Sequence, residues 1–513
     1  MKHSIQITEA GLSLVELRTL YFEHPSLEVS SSLKIAIEKS AAIVTQAMQE
    51  GRVVYGINTG FGALANTHIK PDKLAELQFN IIRSHKAGVG KYLEENISRL
   101  ILAIKIVVLS MGYSGVRWIL VEKLLALYNA GYYPCMHAKG SVGASGDLAP
   151  LADLAGVLIG EGDAWFEGKI ISAKEVLKKL GWTPYQLAPK EGLSLINGTQ
   201  VSNGLALAAL FKAEHLFGAA VVSGMLSLEA IKGSHSPFHP EIQRLRRQKG
   251  QQLVAGWYRD LLKESPLNAS RTAASKVQDP YCMRCQPVVM GACLDQLQHA
   301  ADILCLEASG VTDNPFVIAE TGDVISGGNF HAEPVAFAAD NMALAIAEVA
   351  SIAERRIALL MDIHFSGLPA FLVEKSGLHS GLMIAHVTAA AMVSENKSLA
   401  HPSSVDSIPT SANQEDHVSM ATYGARRLHD MLENAGYVIG IELLAAVRGL
   451  SFHLPCKTSP ALEKILPHLR SLIQLDSSDH VLSPEMEALQ QAALQGKVAT
   501  VILEMESIPF FKI

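Results

Sequence analysis

Long apolar runs with helical spacing constrain the fold of this chain more than any other feature. The most apolar segment, Leu205 to Leu228, is interrupted by Lys212, Glu214 and His215. What remains is too short to span a bilayer, so the segment predicts a buried core helix. A second segment carries apolar residues at three- and four-residue steps, which predicts a buried helix face made of Met342, Ile346, Val349, Ala353, Ile357 and Leu360.

The composition favours closely packed helices. Hydrophobic residues make up 49% of the 513 residues but aromatic residues only 6%, so the core is built from small aliphatic side chains. Such side chains suit helix packing better than a β-sandwich. With a further Ala-rich helix over Ser380 to Leu399, the sequence predicts a mainly α fold. We expect a long helical bundle that is oligomeric, because so much apolar helix needs partners.

The N-terminal part of the chain predicts a smaller, mixed α/β region. The stretch AWFEGKIIS, Ala164 to Ser172, places short apolar runs on both sides of Glu167-Gly168, which predicts a β-hairpin that turns at these two residues. The pattern becomes long and helical only later. We therefore divide the chain into a mixed N-terminal part at residues 1–200 and a long-helix bundle at residues 201–513.

Charge and cysteine content exclude several classes of partner. A net charge of −7 with 18% charged residues gives no reason to expect nucleic acid or a membrane as partner. The N-terminus, MKHSIQITEAGLSLVELRTL, has no continuous apolar stretch, so it does not predict a signal peptide. We expect a cytoplasmic protein with reduced thiols. Cys282-x-x-Cys285 lacks the second half of a zinc site and does not follow a strand, so it predicts neither a metal nor a redox pair.

The segment GSVGASGDLAPLAD places three very small residues, Ala144-Ser145-Gly146, directly before a helical pattern. Without a Cβ at Gly146, its nitrogen can fold back onto the Ala144 carbonyl. Ring closure with loss of two waters, one from the Ser145 hydroxyl, would leave an exocyclic methylidene electrophile. Asp147 can cap a helix that begins at Leu148, and the helix N-terminus would place partial positive charge beside the ring.

The tripeptide alone is a weak signal, because Ala308-Ser309-Gly310 is a second copy. The surrounding sequence is specific. GSVGASGDLAPLADLAG closely resembles the cofactor-forming segment of the aromatic amino acid ammonia-lyases, and the resemblance runs from YGINTGFG at Tyr55 to NQEDHVSM ending at Met420. It implies an aspartase/fumarase-like helical fold. It also implies that Ala144-Ser145-Gly146 forms 4-methylidene-imidazol-5-one, with Ser145 as 2,3-didehydroalanine, and that no metal or pyridoxal phosphate is used.

The resemblance assigns roles to residues that would otherwise be read as structural. Tyr55 matches a catalytic tyrosine on a loop that closes over the site. Ser84-His85 matches a pair that faces the substrate ring, and this form is similar to the histidine-specific members of the family. Asn197 matches a residue that holds the substrate amine and the cofactor region. Phe330 matches an aromatic position near the cofactor, although core packing would explain it equally well.

Two further motifs complete the implied site. In KVQDPYCMRCQP, Arg284 matches a clamp for the substrate carboxylate, a task that suits a bidentate guanidinium. Gln278 matches a substrate-binding position and Tyr281 a catalytic one. In NQEDHVSM, Glu415 matches the acid that distinguishes the histidine-specific members, as base or as imidazole partner. We expect burial and the neighbouring Asp416 to raise the pKa of Glu415 into a useful range.

The resemblance implies non-oxidative deamination of L-histidine to trans-urocanate and ammonia, the first step of histidine degradation. It also implies a homotetramer with sites shared between subunits, so that Tyr55, Arg284 and Ser145 should not all converge within one chain. Alternatives are the same chemistry on tyrosine or phenylalanine, an aminomutase, or a scaffold without the cofactor. The sequence departs from the family at Val288 and His386, where glutamine is expected.

Overall fold

The computed structural model describes residues 4–60, 62–64, 66–270, 277–475 and 478–505. Its α-helices in chain order are α1 (Leu14–Phe22), α2 (Ser31–Gln49), α3 (Leu74–His85), α4 (Glu95–Ser110), α5 (Trp118–Asn129), α6 (Leu148–Leu158), α7 (Ala173–Leu180), α8 (Glu191–Ile196), α9 (Gln200–Ala230), α10 (Pro240–Arg246), α11 (Lys249–Leu262), α12 (Pro266–Ala269), α13 (Tyr281–Arg284), α14 (Gln286–Ser309), α15 (Glu333–Met361), α16 (Ile363–Ser366), α17 (Met383–Leu399), α18 (Ala421–Ser451), α19 (Pro460–Glu463), α20 (Leu466–Ser471), α21 (Ser483–Leu494) and α22 (Thr500–Met505).

The strands are short and form four small sheets in the described part of the chain. They are β1 (Ser4–Ile7), β2 (Ser26–Val29), β3 (Val89–Tyr92), β4 (Tyr133–Pro134), β5 (His137–Lys139), β6 (Asp163–Phe166), β7 (Lys169–Ser172), β8 (Phe316–Ile318) and β9 (Asp323–Ile325). β1 pairs with β2 in parallel, β3 with β5 and β8 with β9 antiparallel, and β4, β6 and β7 form a three-stranded sheet in that order. The mainly α fold class is confirmed.

A bundle of four long helices forms the centre of the molecule. α9 packs against α14, α15 and α18, and α15 also packs against α14 and α18. The run predicted as a core helix lies inside α9, which is buried almost throughout. All six residues of the predicted stripe on α15 are buried. Apolar content therefore located α9, which is buried on all sides, and periodicity located the buried face of α15.

Helices α9 and α15 are also long and apolar enough to cross a membrane, judged by length and composition alone. Within the bundle, however, 89% of the apolar window of α9 and 67% of that of α15 are buried. Packing against neighbouring helices therefore accounts for their apolar character.

The structure confirms the predicted hairpin, whereas the helix predicted from Ser380 begins three residues later. β6 and β7 pair antiparallel around Glu167 and Gly168, both at positive φ, so the hairpin is confirmed. The helix begins at Met383 instead of Ser380. The carboxylate of Asp479 accepts hydrogen bonds from the backbone N–H groups of Ser380 and Gly381, and Gly381 has φ +57°. These contacts hold the two residues outside the helix.

One buried ion pair ties three bundle helices together. The Arg356 guanidinium of α15 donates to both carboxylate oxygens of Glu442 on α18, at 2.5 and 2.8 Å, and both side chains are fully buried. Ser223 and Ser227 of α9 each donate to the same carboxylate at 2.7 Å. Four donors to one buried carboxylate compensate much of its lost hydration.

Replacement of Glu442 by leucine tests this network. Glu442→Leu leaves the Arg356 guanidinium buried without its carboxylate, which costs about 3–5 kcal/mol. We expect a marked fall in the thermal midpoint, and recovery of most of it in the double variant Arg356→Met/Glu442→Leu. Scanning calorimetry of the two variants and the parent measures this. A Glu442→Leu protein as stable as the parent would contradict the role of the network.

Candidate active site

The loop that contains Ala144-Ser145-Gly146 is held by a close backbone contact with a second loop. Gly146 pairs with Gly198, and the Asp147 N–H donates to the Gly198 carbonyl at 2.8 Å. Gly146 has φ +73°, and a Cβ there would lie 2.3 Å from the Gly198 oxygen. Position 146 therefore requires glycine for two independent reasons, its backbone conformation and the space available.

Four helix N-termini surround this loop. α6 begins at Leu148 and α9 at Gln200, one on each side of the Gly146–Gly198 contact. The Ala332 N–H, directly before α15, donates to the Gly143 carbonyl at 3.1 Å, and the Met420 N–H, directly before α18, donates to the Val142 carbonyl at 2.8 Å. Helix N-termini carry partial positive charge, so the loop lies in a field that favours negative charge.

The predicted cap at Asp147 is only partly correct. α6 does begin at Leu148, but the Asp147 side chain makes no capping hydrogen bond to that helix. Its buried carboxylate accepts instead from the backbone N–H and hydroxyl of Ser202, from Ser141 and from Thr422. The Asp147 carboxylate thus caps the first turn of α9 and connects the loop to α18. The stronger set of donors lies on other helices, and sequence neighbours could not reveal it.

A cavity of about 1170 Å³ opens beside the loop. The sequence-predicted residues that line it are Tyr55, His85, Ala144, Ser145, Asn197, Phe330 and Glu415. These residues come from segments far apart in the chain. The structure therefore brings together most of the predicted site within one chain, with Gly146 buried behind the cavity wall.

Ser145 is held from both sides by predicted site residues. Its hydroxyl donates to Glu415 Oε1 at 2.6 Å, and its carbonyl accepts from Asn197 Nδ2 at 2.7 Å. Asn197 is buried, and its Oδ1 has no hydrogen-bond partner among the described residues. An orphaned buried acceptor that faces a cavity is suited to bind a donor from a ligand.

The predicted direction of the pKa shift at Glu415 is wrong. Burial raises the pKa of this carboxyl, but hydrogen bonds from Ser145, Thr410 and Ser411 and the nearby His85 outweigh burial and lower it. The Thr410 and Ser411 hydroxyls donate to Oε2 at 2.6 and 2.8 Å. Asp416 is exposed and contributes nothing to the shift. The two hydroxyls lie four and five residues before Glu415 in a loop whose folding the sequence did not reveal.

The orientation of His85 follows from its backbone contact. Its Nδ1 lies 2.8 Å from the Ile81 carbonyl, which can only accept a hydrogen bond, so Nδ1 carries the proton. Burial lowers the pKa of His85, although the Ile81 carbonyl and the charge of Glu415 oppose this effect. The neutral ring therefore keeps Nε2 as an acceptor.

Tyr55 lies on the first of the predicted motifs and is half-buried in the cavity wall. Its hydroxyl accepts a hydrogen bond from the Gly62 N–H at 3.2 Å, within the same loop. This contact closes the loop on itself and orients the phenol.

Gln278, Tyr281 and Arg284 lie elsewhere on the molecule. They line a separate surface concavity in which the Arg284 guanidinium stacks over the Tyr281 ring at 4.5 Å. Arg284 ends α13, and α14 begins two residues later at Gln286. The far end of α14 carries Glu307, the acceptor of a 2.5 Å hydrogen bond from Thr199. The helix rise places these two ends about 30 Å apart. Arg284 therefore cannot reach Asn197 or Ser145 of its own chain.

The two residues that depart from the family pattern also have defined positions. Val288 is exposed on the first turn of α14, beside the Arg284 group and away from Ser145. His386 on α17 pairs with Glu354 at 2.8 Å. Burial raises the pKa of Glu354, but His386 and Arg355 outweigh it and bring the pKa to about 2.

Comparisons with known proteins find relatives that match nearly the whole chain. The aromatic amino acid lyase family model matches residues 12–471. A histidine ammonia-lyase of Shewanella pealeana is 54% identical over 489 residues, which cover 95% of this chain and 96% of that protein. The crystal structure of histidine ammonia-lyase from Trypanosoma cruzi superposes with a TM-score of 0.90 at 39% identity, covering 98% of this chain and 95% of that one. The tyrosine aminomutase of Streptomyces globisporus superposes with a TM-score of 0.92 at 32% identity, covering 98% and 99%.

The contact at Gly146 gives a testable expectation with a matched control. Gly146→Ala combines an unfavourable positive φ with a clash against the Gly198 carbonyl, whereas Gly168, also at positive φ, has open space around it. Gly168→Ala should cost about 1–2 kcal/mol of folding free energy. Gly146→Ala should cost about 1–3 kcal/mol more, because of overpacking. Denaturant unfolding of the two variants compares them, and equal stabilities would contradict the close contact.

Proposed function

The chain belongs to the aromatic amino acid lyase family, and we propose that it acts as a histidine ammonia-lyase. It releases ammonia from L-histidine without oxidation and leaves trans-urocanate. One observation carries this proposal: the cavity that contains Ala144 and Ser145 is also lined by His85 and Glu415, two side chains that can hydrogen-bond an imidazole. Relatives more than 50% identical over nearly the whole chain are histidine ammonia-lyases, which supports the same substrate.

The cofactor that we propose is 4-methylidene-imidazol-5-one, formed from Ala144-Ser145-Gly146. Three features fit this group: the absence of a Cβ at Gly146, the Asn197 amide on the Ser145 carbonyl, and the helix N-termini around the loop. When formed, the group supplies an electrophilic carbon that makes the substrate amine a better leaving group. The residues of the chain bind and orient the substrate and move the β-proton.

His85 and Glu415 are proposed to hold the substrate ring. The neutral His85 offers Nε2 as an acceptor for one imidazole N–H, and Glu415 offers a carboxylate oxygen for another donor. Loss of the Ser145 hydroxyl removes one of the hydrogen bonds that lower the pKa of Glu415. The carboxylate is then a better proton acceptor than in the uncyclised chain.

Asn197 and Tyr55 are proposed to act on the amino acid part of the substrate, and Glu415 is the alternative to Tyr55 as base if it does not hold the ring. The unpaired Oδ1 of Asn197 can accept a hydrogen bond from the substrate ammonium, while Nδ2 stays on the Ser145 carbonyl. Tyr55 and Glu415 line the same cavity and are the two candidates for the group that removes the β-proton. Phe330 lines the wall beside the Ser145 loop and helps to exclude water.

Arg284 is proposed to clamp the substrate carboxylate from a different subunit, together with Gln278 and Tyr281. In one chain Arg284 and Ser145 lie at opposite ends of α14, so a complete site needs a second copy. The Arg284 Nε is buried and has no hydrogen-bond partner among the described residues. It is therefore available to donate a hydrogen bond to the substrate carboxylate.

The surface of the bundle supports self-association. Large apolar side chains stand exposed on α14, α15 and α17: Val288, Phe337, Leu344, Ile384 and Val387. Phe337 and Leu344 are seven residues apart and share one face of α15, so a neighbouring helix can bury both. We propose a cytoplasmic homotetramer whose subunits share sites.

A direct assay tests the proposed substrate. The purified enzyme is mixed separately with L-histidine, L-tyrosine and L-phenylalanine, and ammonia and the conjugated acid are measured. We expect product from histidine alone, because His85 and Glu415 can both hydrogen-bond an imidazole, whereas a phenyl ring offers them no partner and a phenol offers only one hydroxyl. Activity on tyrosine or phenylalanine, or a β-amino acid product, would replace this substrate by the lyase or aminomutase alternative. No product from any of the three amino acids would favour the alternative of a scaffold without the cofactor.

Mixing two inactive variants tests the shared site. Ser145→Ala and Arg284→Ala each remove one half of the site, so each variant alone should be inactive. Coexpression produces hybrid oligomers in which an intact Ser145 loop meets an intact Arg284, and activity should return. As a control, Ser145→Ala coexpressed with Gly146→Ala should stay inactive, because both changes damage the same half. The shared site would be contradicted if Arg284→Ala alone were active. It would also be contradicted if hybrid oligomers assembled but showed no return of lyase activity.

A further inference from the structure

Lys105 is a fully buried lysine directly behind the proposed site. It lies on α4, which is buried along most of its length. Its ammonium donates to the backbone carbonyl of Asn197 at 2.8 Å and lies 3.4 Å from the Gln200 side-chain oxygen. Among the described residues, no carboxylate is within ion-pair distance of it.

A buried ammonium that contacts only neutral acceptors is costly to keep. Burial lowers the pKa of Lys105 to about 7, and the positive charge of Lys190 adds to this effect, while Asp313 and Asp147 oppose it. Lys190, in contrast, is equally buried but forms a direct pair with Asp313 at 3.0 Å. A buried lysine with a perturbed pKa that contacts a residue of the cavity wall is a candidate for a functional role.

The segment that Lys105 contacts determines where the Asn197 side chain points. α8 ends at Ile196, Asn197 caps it in an extended conformation, and Gly198 follows with φ +123°. The carbonyl of a helix C-cap lacks an intrahelical donor, and an ammonium satisfies it well. The next residue, Gly198, is the partner of Gly146 in the loop contact.

We propose that Lys105 is a positioning residue for catalysis, which acts through the Asn197 backbone. By fixing this carbonyl, it holds the Asn197 amide on the Ser145 carbonyl and directs Oδ1 toward the substrate amine. This inference rests on the proposed function, because it concerns the step in which Asn197 meets substrate. Lys105 itself touches neither substrate nor cofactor.

The test uses the full-length enzyme and the variants Lys105→Met, Asn197→Ala and their combination. Methionine keeps the length and apolar stem of lysine but removes the donor. We expect Lys105→Met to retain the two-water mass deficit of the cofactor and to lose about 100-fold in kcat, as small misplacements of a catalytic group do. KM for L-histidine should rise as well, because Asn197 Oδ1 also holds the substrate ammonium in the ground state.

A double-mutant cycle separates positioning from general stability. If Lys105 acts through Asn197, the double variant should be no slower than Asn197→Ala alone. Lys190→Met is the matched control for loss of a buried charge. Lys190→Met should lower the thermal midpoint. If it also lowers kcat, this loss and the loss from Asn197→Ala should multiply in their double variant, because Lys190 does not contact Asn197. If Lys105→Met does not fold, Lys105→Gln, which keeps a shorter N–H donor, is measured in the same cycle.

Each failure has its own signature. Three results would overturn the role of Lys105 and leave the proposed function intact. They are a kcat of Lys105→Met equal to that of the parent, losses of kcat in Lys105→Met and Asn197→Ala that multiply in the double variant, and a Lys105 variant without the mass deficit. A parent enzyme without the mass deficit, or without activity on histidine, would overturn the proposed function and this inference with it.

Discussion

The close approach of Gly146 and Gly198 is the constraint on which the site depends. Two loops can meet backbone to backbone only because Gly146 has no Cβ, which would lie 2.3 Å from the Gly198 oxygen, and the Gly146 position also needs a positive φ. This contact places the Ser145 carbonyl beside the Asn197 amide and brings the N-termini of α6 and α9 together at the loop. The electrostatics of the cavity follow from that placement.

Asp147 converts the local contact into a property of the whole bundle. Its buried carboxylate receives hydrogen bonds from α9, from the first turn of α18 and from Ser141. The bundle in turn is fixed by the Arg356–Glu442 pair, which joins α9, α15 and α18. The long apolar helices therefore do more than fill a core, because three of them, α9, α15 and α18, begin beside one small loop.

The sequence predicted the features that depend on local periodicity and missed those that depend on distant partners. The stripe on α15 and the hairpin at Glu167-Gly168 are visible because the relevant neighbours are only a few residues apart. The partners of Asp147 lie 55 and 275 residues away, so its capping role was assigned to the wrong helix. The pKa of Glu415 depends on hydroxyls that only the folded loop brings to it, and no motif pointed to Lys105.

The proposed chemistry requires that this chain makes its own electrophile from Ala144, Ser145 and Gly146. The most direct test is the mass of the proteolytic peptide that contains residues 140–153, measured from the purified protein and from a Ser145→Ala variant. We expect the parent peptide to be lighter than its sequence by two waters, with fragment ions that place the loss at residues 144–146. We expect no methylidene in the variant. A parent peptide at its full sequence mass would contradict the claim.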